Sequence, residues 1–238
     1  MKRPNGLVLA LAGLLMVGPL GLAGAARPEP QQKPVVELPK PGVPQIMTLE
    51  GEYVRAAYNN EAYVILGYRI ANASVSEEWL MLETGMALRE GRPNYKLTRD
   101  KIALEIPDGK KIPLASNQEY NAANLMALEQ RNKVMRDSIN YFPPMATQAC
   151  RIGFFAELGK PGMSWDEVEV AQNRACVGRL FFKVPGGIAY GQHWLDVQFE
   201  STLVRVPFRI LTKEEEKFLS KNWKDIRKQV EDAFKKKK

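Results

Sequence analysis

The sequence predicts a mainly β protein, a single β-sandwich decorated by two helices, and three observations carry that prediction. Apolar side chains recur at every second position in several runs between residues 48 and 211, which is the period of a β-strand. Two other stretches show the three-or-four spacing of a buried helix face. Cys150 and Cys176 are the only cysteines, and each opens an alternating run. We therefore expect a disulfide between two core strands.

The first 46 residues predict an export signal and a spacer. Lys2 and Arg3 precede an uncharged stretch that ends in small residues typical of signal-peptidase sites, so we assign residues 1–25 to a signal peptide. An uncleaved N-terminal membrane anchor is the alternative, because the uncharged stretch is long enough to span a bilayer. Residues 26–46 are rich in proline, which favours an extended linker. We expect a protein that is periplasmic, secreted or at the cell surface.

Residues 47–211 are expected to form the sandwich domain. Residues 62–71 are apolar on both faces, which predicts a central strand that is covered on both sides. Asp108 and Gly109 predict a tight turn in a hairpin at a sheet edge, where Pro107 and Pro113 are tolerated. The expected strands are residues 52–58, 62–71, 78–88, 102–106, 112–114, 150–154, 176–182, 190–201 and 203–211.

Seven or more short strands with one cysteine pair resemble immunoglobulin-like sandwiches in general. The resemblance implies two antiparallel sheets packed face to face. It implies no function, because that architecture carries many unrelated activities. The tryptophan and tyrosine that mark true immunoglobulin domains are missing around Cys150.

A helical insertion is predicted at about residues 116–142. Ser116 and Glu119 fit a capping box, in which each side chain satisfies a backbone N–H of the first turn. An apolar stripe at helical spacing follows, which predicts one long helix. We favour a helix that covers an open face or end of the sandwich, and presentation to a partner is the alternative. The stripe consists of Leu125, Leu128, Met135, Ile139 and Phe142.

Residues 212–238 predict an amphipathic helix with a basic tail. Thr212 and Glu215 fit a second capping box. Three placements of the helix remain open: packing on the sandwich, which we favour, pairing with another helix, or peripheral contact with an anionic membrane. The apolar stripe that would make the contact is Leu219, Trp223, Ile226 and Val230.

The net charge of +7 comes mostly from the two ends of the chain. Without Lys2, Arg3 and residues 235–238, 28 basic residues stand against 27 acidic ones, a net charge of +1. A nearly neutral body argues against nucleic acid as a partner.

The inventory of reactive side chains is small. His193 is the only histidine, and a metal site or a catalytic triad would need it together with partners that the sequence does not supply nearby. We expect a partly exposed strand histidine, no metal and no cofactor. Two oxidised cysteines leave no thiol nucleophile. An acidic cluster beside Trp165 keeps a carboxylate-pair glycoside hydrolase open as an alternative. The cluster is Asp166, Glu167 and Glu169.

Aromatic side chains near strand ends are the main indication of binding, because exposed rings stack on sugars or anchor protein partners. The candidate binding residues are Trp79, Trp165, Asp166, Glu167, Glu169, Tyr190, His193 and Trp194. The function predicted from the sequence is an exported, non-catalytic binding or scaffolding module of the cell envelope that recognises protein or polysaccharide. The alternatives are a small carbohydrate-active hydrolase that uses the acidic cluster, and an assembly or chaperone factor that docks through its C-terminal helix.

Overall fold

A computed structural model describes residues 45–158 and 162–235 of the chain. The predicted signal peptide and nearly all of the predicted linker lie outside the described residues. Within them the protein is mainly β, with packed sheets, as the alternating pattern predicts. Strands and helices are numbered below in chain order.

The largest sheet has six strands. Their order across the sheet is β1 (Ile46–Gly51), β2 (Val54–Tyr58), β3 (Ala62–Gly67), β4 (Trp79–Leu88), β10 (Arg174–Lys183) and β8 (Gln148–Ile152). The second sheet has the order β12 (Leu203–Ile210), β11 (Gly191–Gln198), β6 (Ile102–Glu105) and β7 (Lys111–Pro113). A small third sheet pairs β5 (Tyr95–Thr98) with β9 (Glu167–Val170). The α-helices are α1 (Arg69–Asn72), α2 (Asn117–Ala122), α3 (Met126–Val134) and α4 (Lys213–Lys235).

The main core combines apolar side chains from the six-stranded and four-stranded sheets. Leu82 and Leu180 of the first sheet and Leu195 and Val206 of the second are all fully buried. Burial alternates along β12, as the pattern in the sequence predicts, whereas adjacent residues of β4 such as Met81 and Leu82 are buried together. The predicted hairpin is also confirmed: β6 pairs with the edge strand β7, and Gly109 has a φ of +84° in the turn between them.

The disulfide between Cys150 and Cys176 is present, but one of its strands is not a core strand. The two cysteines are direct partners in the ladder between β8 and β10. Strand β8 lies at the edge of its sheet and exposes Gln148, Ala149 and Arg151. The bond therefore holds an edge strand against its inner neighbour.

The β8–β10 pair also departs from the expected antiparallel pairing. It is parallel, whereas the other pairs among the described strands are antiparallel. The segment between the two strands contains β9, which pairs with β5 in the third sheet. A parallel pair needs a crossover of this kind, because the chain must return to the end at which the first strand began.

The predicted helix over residues 116–142 is wrong in its length. The capping box of Ser116 and Glu119 is present, but α2 ends at Ala122 and a second short helix, α3, ends at Val134. Residues 135–142, here called the strap, are not helical. Their polar residues are mostly short side chains that bond to nearby backbone and so weaken a helix. Two apolar residues of the strap, Ile139 and Phe142, pack on the six-stranded sheet instead.

Candidate functional site

The acidic cluster beside Trp165 is a set of separate surface groups. All three of its side chains are exposed: Asp166, Glu167 and Glu169. Glu167 forms an ion pair with Lys96 at 2.7 Å, and Glu169 forms one with Arg174 at 2.8 Å. The hydrogen bond from Asn94 and the charge of Arg174 lower the pKa of the Glu169 carboxyl. A glycosidase acid needs a raised pKa, so this arrangement gives the hydrolase alternative no support.

The four predicted aromatic binding residues differ in exposure. Trp165 and Tyr190 are 47% and 50% exposed, in line with the prediction. Trp79 is half-buried against the core. Trp194 is buried, and the guanidinium of Arg205 lies 4.7 Å from its ring centroid, so the ring lacks the exposure that its predicted role in binding assumes.

Trp165 is held on a glycine. Its backbone N–H donates to the carbonyl of Gly153 at 2.7 Å. A Cβ atom at Gly153 would lie 2.2 Å from the indole Cε3, so only glycine allows the ring to rest there. The loop after β8 therefore presents a fixed and partly exposed ring.

His193 is fully buried, which corrects the expectation of a partly exposed side chain. Its ring stacks on Phe208 at a centroid distance of 5.3 Å. Its Nδ1 donates to the carbonyl of Gly191 at 3.0 Å, since a carbonyl can only accept. Its Nε2 is buried without a partner among the described residues. Burial lowers the pKa of His193, and strand alternation explains the burial, because residue 193 shares the inward face of Leu195 and Val197.

Helix α4 is anchored at its start. Thr212 and Glu215 form the predicted cap. The Glu216 carboxylate accepts from the Tyr53 hydroxyl at 2.8 Å and from the Asn72 side chain at 2.5 Å. The predicted apolar stripe is half-buried, but it does not belong to the core formed by the described residues. The stripe is Leu219, Trp223, Ile226 and Val230. Helix α4 approaches strand β1, so packing of the stripe on the sandwich stays a prediction.

The strap packs closely on the outer face of the six-stranded sheet, a contact that the sequence did not predict. It crosses the outer face of the six-stranded sheet, where Ile139 and Phe142 pack against Val54 and Ile65. Two glycines make this close approach possible. A Cβ at Gly85 would lie 2.7 Å from Cζ of Phe142, and one at Gly67 would lie 3.1 Å from Cγ2 of Ile139. Such glycines within strands indicate a surface that another segment approaches closely.

A groove of about 740 Å³ lies beside the strap, and we call it the strap groove. Its floor is the outward face of β10, represented by Val177, Arg179 and Phe181. The strap forms one side of the groove, and the residues at and after the end of β8 form the other. The volume lies in the range typical of sites that bind small molecules or short segments.

The carboxylates that line the strap groove already have cationic partners. Arg136 donates to Glu83 at 3.2 Å. Arg69 holds Asp137 at 2.9 Å. The third carboxylate, on Glu157, lies 3.9 Å from the guanidinium of Arg151. These contacts leave little uncompensated negative charge in the groove.

Glu83 is the buried member of this set, since its side chain is only 8% exposed. Burial raises the pKa of the Glu83 carboxyl, while the guanidinium groups of Arg136 and Arg179 oppose the rise. A perturbed carboxyl inside a groove is typical of functional sites, although structural ion pairs show it too. It supports the strap groove as the candidate site.

Arg179 is the cation on the groove floor. It lies opposite Glu83 in the ladder between β10 and β4, and it is half-buried. Within residues 45–158 and 162–235, its guanidinium has neither a hydrogen bond nor an ion pair within 4 Å. The Glu83 carboxylate opposite it bonds Arg136 instead. A guanidinium has five N–H donors in a fixed fork. The groove therefore offers unused donors.

The disulfide holds one side of the strap groove in place. Arg151 and Ile152 of β8 line it, and β8 is an edge strand with one neighbour in the described sheet. The bond between Cys150 and Cys176 fixes β8 to β10 next to these residues. The predicted structural role of the cysteines thus extends to the candidate site.

No protein-family model matches the chain, and neither a curated protein nor a solved structure shows significant similarity to it. None of the helices within residues 45–158 and 162–235 has the length and apolar character needed to cross a bilayer. Over the same residues, no three histidine, cysteine, aspartate or glutamate side chains are grouped so that they could hold a metal ion.

Proposed function

We propose that this chain is an exported, non-catalytic binding module that holds an extended segment of a protein partner in the strap groove. The observation that carries the proposal is the groove itself, which is concave, lined by apolar, aromatic and charged side chains, and supplied with a guanidinium that has unused donors. Noncovalent recognition needs this combination of apolar contact area and a few fixed polar groups. The disulfide fits a protein that folds in an oxidising compartment.

The groove suits an extended segment in its dimensions. From Val177 to Phe181 the floor follows β10 for four residue steps, which is about 13 Å of strand length. An extended peptide has the same rise per residue, so about four residues of a partner fit along it.

Protein is a better match than polysaccharide. Sugar rings bind on exposed, flat aromatic faces. The aromatic rings in the groove instead use their faces internally, as Phe155 and Phe181 pack on each other and on Tyr120. The exposed rings of Trp165 and Tyr190 are not among the groove-lining residues. The immunoglobulin-like arrangement predicted from the sequence remains a prediction, and the binding proposal does not depend on it.

Site-specific photo-crosslinking in the native cell envelope tests the proposal. A photoreactive amino acid replaces Val177, which is 42% exposed on the groove floor, and in a second variant it replaces Leu203, which is 39% exposed on β12 of the other sheet. We expect a discrete protein adduct from position 177 and none from position 203. Adducts of equal yield at both positions, or none at position 177, would overturn the proposal. An adduct that glycosidase treatment removes would identify polysaccharide as the partner instead.

Helix α4 supports a second candidate function, a docking helix of an assembly or chaperone factor. The observation in its favour is that the stripe from Leu219 to Val230 lies outside the core of the described residues, while the start of the helix is fixed by Glu216. Deletion of residues 222–238 keeps that anchor. This candidate predicts loss of partner binding at unchanged thermal stability, and a large fall in melting temperature would count against it.

A further inference from the structure

We infer that the segment bound in the strap groove presents an acidic side chain to Arg179. This inference rests on the proposed function, and it names the feature by which that groove selects its ligand. The protein segment that it describes is extended, with a side-chain carboxylate two positions from an apolar residue.

Among the described residues that line the groove, Arg179 is the cation without a bonded acid. Glu83 lies opposite it across the strands, but the Glu83 carboxylate is bonded to Arg136 from the strap. Asp137 is bonded to Arg69 on the other side of the strap. A half-buried guanidinium needs hydrogen-bond acceptors, and none of the described side chains supplies one to Arg179.

The carboxylate comes from a side chain, since the groove lacks the features of a site for a C-terminus. C-terminal carboxylates bind to nests of free backbone N–H groups. The floor here is the face of a sheet, and the backbone of β10 is paired with β4 on one side and β8 on the other over residues 176–178. The donors that point out of this face belong to side chains, which favours a carboxylate carried within the segment.

The surroundings of Arg179 explain the apolar neighbour. Val177 and Phe181 lie two residues away on the same face of β10, at the spacing with which alternate side chains of an extended ligand meet a sheet. Val177 is 42% exposed whereas Phe181 is only 1% exposed, so the apolar contact open to a ligand on this strand lies on the Val177 side of Arg179. A ligand with an apolar residue two positions from its acidic residue matches the floor in both spacing and charge.

The test uses the full chain, exported and purified, against a phage-displayed library of random 12-residue peptides. In the Val177→Trp variant, the larger side chain fills the groove from an exposed position. Peptides that bind the unchanged protein but not this variant depend on the groove. We expect groove-dependent peptides to contain an aspartate or glutamate two positions from an apolar residue. The Arg179→Gln variant should weaken their binding at least tenfold. The matched control Arg174→Gln, on the same strand but outside the groove lining, should change it less than twofold.

Replacement of the peptide's aspartate by asparagine, or of its glutamate by glutamine, should weaken binding in the same way. This second measurement leaves the protein unchanged, so it tests the inference even if Arg179→Gln fails to fold. Groove-dependent peptides that lack an acidic residue, or that bind Arg179→Gln as well as the unchanged protein, would overturn the carboxylate inference and leave the proposed function standing. If every selected peptide binds Val177→Trp undiminished, the groove is not a peptide site, and both proposals fail.

Discussion

Reduction of the bond between Cys150 and Cys176 should lower the free energy of unfolding by about 3.5 kcal/mol. The bond closes a loop with a sequence separation of 26 residues. For a loop of that length, the chain-entropy model gives roughly 3.5 kcal/mol at 25 °C, because the cross-link removes open conformations from the unfolded chain. The ladder between β8 and β10 keeps the two strands paired after reduction, so the native state changes little.

Urea unfolding, followed by tryptophan fluorescence with and without a phosphine reductant, measures this loss. Reduction leaves both thiols in place and creates no cavity. A variant with alanine at both positions should lose somewhat more, because the Cys176 side chain is fully buried. That variant should not respond to the reductant, which makes it the control.

A loss below about 1 kcal/mol would refute the reasoning, since it would mean that the unfolded chain is already compact around this loop. Selective loss of groove binding at unchanged global stability would instead show that reduction frees only the edge strand. That result would still confirm the role of the disulfide in holding one side of the groove.

Three further predictions test the strap, the buried histidine and the anchor of α4. Gly85→Ala should cost about 1–3 kcal/mol in urea unfolding, because the new methyl group meets the Phe142 ring, and the cost should shrink in a Phe142→Ala background. His193 is neutral in the fold, so its stability contribution is present above pH 6.5 and falls as the pH drops below it, by up to about 1.4 kcal/mol per pH unit. Glu216→Ala should cost about 1–3 kcal/mol, because it leaves buried Asn72 without its acceptor.

Each of these predictions has its own control. Additive costs for Gly85→Ala and Phe142→Ala would mean that the new methyl group and the Phe142 ring do not touch. His193→Phe should remove the histidine contribution to the acid-side slope, and an unchanged slope would assign that contribution to other groups. Glu214→Ala alters the exposed neighbour of the anchor and should be neutral. An equal loss in the two glutamate variants would reveal a general helix-end effect.

Local chemistry allowed much of the fold to be predicted. The strands β4, β11 and β12 and the caps at Ser116 and Thr212 depend on neighbours within a few residues, and the structure contains all of them. Burial alternates along β12, whereas β4 and β11 are buried on both faces. The burial of His193 follows from its place on the face of β11 that carries Leu195 and Val197, whereas the expectation from the sequence is a partly exposed position. The disulfide needed only two cysteines and an expectation of export.

The sequence by itself determined the mainly β character, the capped helix starts and the cysteine pairing. Strand period and helix caps are properties of short segments, and each of two cysteines has only one possible partner. Only the tertiary structure decided that residues 135–142 form a strap, that β8 lies at an edge, and that Arg179 faces a groove. Each of these depends on which distant segments meet. Gly67 and Gly85 appeared in the sequence as small residues in apolar strands, and the close approach of the strap shows why glycine is needed there.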